Sequence, residues 1–163
     1  MNIQEKLVKT LNEKNLKIAT VESCTGGMLS QMITDVSGAS NVFECGICSY
    51  SNEIKISVVG VKKETIDEYT EVSIPTAEEM ASGVLRLSGA DLAVSTTGVA
   101  GPTGGTEENP VGTVYIGFAT KSGVTAEKKN FNLDGCDNRA EIRRRCSKYC
   151  LEKACELAGS IMN

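Results

Sequence analysis

The sequence predicts one α/β domain, a three-layer α/β/α sandwich around a mixed sheet, and three observations carry that prediction. Helical and strand-like segments alternate early in the chain, two strands joined as a hairpin come late, and a long helix follows them. Alternation implies crossovers and parallel strands, whereas a hairpin adds antiparallel ones, so the sheet is mixed. At 163 residues and 40% apolar content, the chain suits a single domain able to bury its own core. No internal repeat, low-complexity tract or interdomain linker divides it.

Taken in order, Ile3, Leu7, Val8 and Leu11 fall on one side of a helix over residues 3–14, and Lys17 to Val21 reads as a short strand. Glu22 to Gly27 is a strand-to-helix turn, because apolar spacing becomes helical from Met28 to Val36. Residues 37–40 form a loop, Phe43 to Tyr50 a strand, and Glu53 to Val59 a short helix ended by Gly60. Pro75 starts a helix that runs to about Ser88, and Ala90 to Thr96 is a strand of the buried type. Gly98 to Pro110 is too rich in glycine and proline to be anything but a loop. Strands at Val111 to Ala119 and Val124 to Asn132 flank a hairpin turn at 120–123, and the last helix spans Asn138 to Leu157. In such folds, sites collect at the carboxyl ends of strands, where the turns after Val21 and Thr97 could meet.

Composition narrows the function. A net charge of −4 leaves no basic surplus for a nucleic-acid backbone, so no nucleic-acid partner is expected. Met1 to Leu11 is neither a signal peptide nor a membrane span, which predicts a cytoplasmic protein with no membrane partner. Seven cysteines fit a reducing compartment, since this core needs no disulfide staples. Cys45 and Cys48 have CxxC spacing, but on a strand positions three apart point to opposite faces. Cys146 and Cys150 stand one helical turn apart, on a similar face to Ile142, Ala154 and Leu157, as core cysteines do. Histidine is absent, which excludes Ser-His-Asp and Cys-His devices, so any general base is Lys, Asp, Glu, Tyr or an amine.

Four polar segments could carry chemistry. Glu22-Ser23-Cys24-Thr25-Gly26-Gly27 offers three adjacent nucleophiles at a helix start, where open amides would stabilise a developing negative charge; chemistry alone does not choose among Ser23, Cys24 and Thr25. Tyr50-Ser51-Asn52-Glu53-Ile54-Lys55 follows a strand, and a lysine in a dry setting there loses its proton readily enough to act as a base. Ser95 to Gly105 combines hydroxyls with glycines that let backbone approach a ligand, but it matches neither GxGxxG nor a P-loop. Arg139 and Arg143 share a helix face that could grip a phosphate.

Together with Pro110-Val111-Gly112-Thr113-Val114, these segments resemble, in order and over most of the chain, the CinA C-terminal domain family. The resemblance implies an α/β/α sandwich that hydrolyses nicotinamide mononucleotide to nicotinate mononucleotide and ammonia in pyridine-nucleotide salvage, with no metal and no cofactor. By the same resemblance Ser23 is the nucleophile, Lys55 its base and Tyr50 an aid to proton transfer or orientation. Thr25, Gly26, Gly27, Thr97 and Gly98 would line the carboxamide and oxyanion region, and Arg139 or Arg143 would hold the phosphate. A homo-oligomer is expected. Glu71 stands where members usually carry a small residue before the Val-Ser pair. Two other readings compete: an inactive nucleotide-binding module acting as a sensor or protein partner, and a cysteine amidase using Cys24.

Overall fold

The computed structural model describes residues 1–135 and 138–161. Five strands, β1 (Ile18–Glu22), β2 (Phe43–Cys48), β3 (Leu92–Gly98), β4 (Thr113–Thr120) and β5 (Gly123–Asn130), form one sheet in the order β2-β1-β3-β4-β5. The first three are parallel, and β4 runs antiparallel to both of its neighbours, β3 and β5, so the sheet is mixed as expected. The helices are α1 (Ile3–Lys14), α2 (Met28–Thr34), α3 (Asn52–Ile54), α4 (Lys63–Tyr69), α5 (Ile74–Ser88) and α6 (Arg139–Ser160).

Two apolar layers sandwich the sheet. On one face α1, α2 and α6 bury Leu7, Leu11, Leu29, Ile142, Cys146 and Cys150 against Ile18, Leu92, Val94 and Ile116. On the other, Met80, Ala81 and Val84 of α5 pack on Ala19, Val21, Ala93 and Ala119. The period of two along β1 and β3 decides what reaches each side. Ile18, Thr20 and Glu22 face α2, and Ala19 and Val21 face α5; in β3, Thr96 lies on the α2 side, while Ser95 donates to the Ala77 carbonyl of α5 at 2.6 Å.

The element boundaries lie within three residues of expectation, α6 running on to Ser160 where Leu157 was expected, and three further differences stand out. α4 is absent from the sequence reading because Lys63–Tyr69 buries only Thr65 and has no apolar stripe to announce it. The expected strand through Tyr50 stops at Cys48. The expected helix at 53–59 is a single α-turn that widens into a π-helical turn over Lys55–Val59, closed by Gly60 at φ +84°. Such turns recur at functional sites. The hairpin is tight, with Thr120 paired to Gly123 around Lys121 and Ser122. The cysteines among the described residues are all free. No helix among those residues is long and apolar enough to cross a membrane.

Candidate active site

The carboxyl ends of β1, β2 and β3 lie side by side, and each delivers one part of a cleft of about 200 Å³. Ser23 and Cys24 follow β1, Tyr50, Asn52 and Lys55 follow β2, and Thr97, Gly98 and Ala100 close β3. Glu71 and Val72 come from the segment before α5, and Arg139 from the first turn of α6.

At its centre, Nζ of Lys55 lies 3.2 Å from Oγ of Ser23 and donates to the Ser49 carbonyl at 2.9 Å. The lysine is only 1% exposed. Burial lowers its pKa from the ordinary 10.5, against the upward pull first of Glu71 and then of Cys24. A neutral amine placed this way gives one N–H to the carbonyl and keeps its lone pair for the serine hydroxyl. Cys24 is the poorer nucleophile, because burial drives its thiol up to about 12 and keeps it protonated.

The turn that carries Ser23 is held by a group whose role the sequence reading did not identify. Glu22 is 0% exposed and accepts five hydrogen bonds: from the amides of Gly27, Leu29 and Ser30 at 2.8–3.1 Å, and from the hydroxyls of Thr25 and Ser30 at 2.6 and 2.7 Å. The Thr25 hydrogen is committed to Glu22, so Thr96 is the donor in the 2.7 Å contact between the two threonines. An acidic residue ending a strand just before a helix start is the signal that could have revealed this cap.

The arrangement departs from a turn whose helix-start amides stand open to a ligand. Glu22 takes three of them, and the Gly26 amide closes onto the Ser23 carbonyl at 3.0 Å. The amides of Cys24 and Thr25 have no partner among the described residues. Gly26 and Gly27 supply the positive φ, +59° and +92°, that lets the chain double back so sharply.

Of the expected site residues, Ser23, Lys55, Tyr50, Thr97, Gly98 and Arg139 line the cleft, whereas Thr25, Gly26, Gly27 and Arg143 do not. Thr97 directs its hydroxyl to the Glu71 carbonyl at 2.6 Å. At Gly98 a Cβ would meet the Thr113 carbonyl at 2.3 Å, so no side chain fits there. Arg139 donates to the Tyr50 hydroxyl and to the Gly101 carbonyl, both at 2.8 Å. Arg143 instead clamps the Thr25 carbonyl through Nη2 at 2.7 Å and Nε at 3.2 Å. Arg144 and Arg145 pair with Glu141 away from the cleft.

Comparison with known proteins agrees with this architecture. The model of the CinA C-terminal domain matches residues 1–157. A relative from Thermoanaerobacter sp., named for competence-damage induction, is 50% identical over 150 residues, covering 92% of this chain and 35% of its own. A CinA-like protein of Chlorobium limicola is 45% identical over 155 residues, 93% of this chain and 36% of the relative. The chain thus spans about a third of the length of the curated relatives it matches. Among solved structures, the competence/damage inducible protein CihA of Agrobacterium tumefaciens superposes with a TM-score of 0.89 at 34% identity, covering 95% of this chain and 94% of that one.

Proposed function

The chain belongs to the CinA C-terminal domain family, and from that membership and the Ser23–Lys55 pair we propose that it is an amidohydrolase that deamidates nicotinamide mononucleotide. The observation that carries the reading is the buried amine 3.2 Å from a hydroxyl at the mouth of a sharp turn, in a chain with no histidine to serve as base.

In this reaction Lys55, neutral, takes the proton of Ser23 as Oγ attacks the carboxamide carbon. The tetrahedral oxyanion is met by the open amide of Cys24, which lines the cleft, a donor worth about 3 kcal/mol. The carbon–nitrogen bond then breaks, the lysine returns its proton to the departing ammonia, and an ester on Ser23 remains. Water, deprotonated by the same lysine, attacks the ester and releases the carboxylate with the serine restored. The sum is one carboxamide and one water giving one carboxylate and one ammonium.

Tyr50 belongs beside this pair through Arg139, whose guanidinium it accepts from. Arg139 has five N–H donors, and those not engaged by Gly101 and Tyr50 suit a phosphate. Arg143 acts indirectly, by fixing the carbonyl of Thr25 and so the direction of the turn.

The test is ammonia release from nicotinamide, its riboside, its mononucleotide and its dinucleotide. Preference for the mononucleotide, abolished in Ser23→Ala and in Lys55→Ala with the fold intact by circular dichroism, is the expected result. Nucleotide binding without ammonia from any of the four would instead identify a sensor module.

A further inference from the structure

The cleft also holds a carboxylate that the proton transfers do not use. Glu71 lines both the cleft, with Ser23, Lys55 and Arg139, and an adjoining groove of about 810 Å³ that runs along the start of α5 and the loop before β4. Its backbone is fixed from two directions. The Glu71 carbonyl accepts from Thr97, and the preceding carbonyl, that of Thr70, accepts from Ser73 at 3.0 Å and Thr76 at 2.7 Å. Thr70 itself is held at φ +67°, a conformation that a β-branched residue adopts only under surrounding constraint.

The carboxylate, by contrast, has no hydrogen bond or ion pair among the described residues. It is close enough to Lys55 to favour the ammonium, but neither cation of the cleft bonds to it: Lys55 is turned to Ser23 and Ser49, and Arg139 to Tyr50 and Gly101. An acid positioned by its backbone and left unpaired on a small cleft matches a ligand that brings its own positive charge. The ring of Tyr50, 60% exposed on the same cleft, favours a cation as well.

We propose that Glu71 is a specificity-determining residue that selects carboxamides carried on a cationic, N-substituted pyridinium ring over those on a neutral ring. This rests on the deamidase reading and adds to it the electrostatic feature by which the ring is chosen. A carboxylate on the wall of the cleft that takes the ring, at the effective dielectric of a partly wet site, changes affinity by about tenfold once solvent screening is allowed for. The product keeps the ring cation and gains a carboxylate, so the same charge attracts it less than the substrate.

The experiment measures binding apart from turnover. In the Ser23→Ala background, calorimetry gives the Kd of nicotinamide mononucleotide and of its 1,4-dihydro form, which keeps the carboxamide and phosphate but has a neutral ring. Adding Glu71→Gln is expected to weaken the oxidised form about tenfold and the dihydro form less than twofold, and Glu71→Asp should recover most of the discrimination. Equal changes in both forms, no change in either, or no binding of either overturns the proposal. Ammonia release by the unmutated protein is followed in parallel. Its absence sinks the deamidase reading, while the ratio of the two Kd values still decides the role of Glu71.

Discussion

The amine of Lys55 and the hydroxyl of Ser23, 32 residues apart in the chain, meet at 3.2 Å because two parallel neighbours, β1 and β2, end at the same edge of the sheet. Removing either group therefore breaks one device. Ser23→Ala and Lys55→Met are each expected to lower kcat by at least about a thousandfold, and the double variant by little more than either alone. Lys55→Arg should be as inactive as Lys55→Met, since a guanidinium does not give up its proton near neutrality. Steady-state ammonia release checks all four.

The pH dependence follows from burial. The ascending limb of kcat/KM is expected to report deprotonation of Lys55 at a pH below the ordinary 10.5 of a lysine. Glu71 pulls the other way and favours the ammonium, so Glu71→Gln should move that limb to lower pH; a shift to higher pH would refute this electrostatic account. The stability consequence has a definite sign. With the folded pKa depressed, the unfolded chain binds more protons between that value and 10.5, so stability contributed by position 55 rises with pH across this window. Urea unfolding of Lys55→Met, compared with the unmutated protein, should show the variant's relative advantage shrinking as pH is raised.

Glu22 is the structural keystone of the turn. Glu22→Ala takes the acceptor from three amides, while the Thr25 and Ser30 hydroxyls keep only their contacts with Thr96 and Thr20, for an expected loss of about 3 kcal/mol or more. Denaturant midpoints measure it, and activity should fall at temperatures where the variant is still folded.

Cys24 sits beside Ser23 with a buried thiol that burial keeps protonated. Cys24→Ala should keep activity within a fewfold, and alkylation of the native protein at position 24 should be slow at pH 7, because the thiol is buried and titrates near 12. Complete inactivation of Cys24→Ala in a folded protein would transfer the nucleophile's role away from Ser23.

The two arginines should separate kinetically. Arg139→Ala is expected to raise KM for the mononucleotide about tenfold and to leave the phosphate-free riboside nearly unchanged. Arg143→Met, which loosens the Thr25 carbonyl, should lower kcat for both substrates alike.

Much of the fold and the central pair could be read from the residues, because period-two and period-3.6 patterns are strong wherever a face is buried. Leu7 and Leu11 of α1, and Ile142, Cys146 and Cys150 of α6, fall where their spacing put them. What was hidden depends on contacts between distant segments. The spacing of Arg139 and Arg143 places both on one face, but only the approach of the turn after β1 decides that Arg143 holds a carbonyl. α4 lacked a stripe, and Glu22 looked like one more polar residue until the alternation of β1 aimed it under α2.

Because one carboxylate ties the turn that carries Ser23 to α2, and the Thr25–Thr96 contact ties that turn to the central strand, it has no independent way to loosen. Its opening free energy should approach that of the whole domain, and deuterium should reach the amides of Leu29 and Ser30 on the timescale of global unfolding. The position of Ser23 is then preorganised when the chain folds, with little entropy left to be lost each time a ligand arrives.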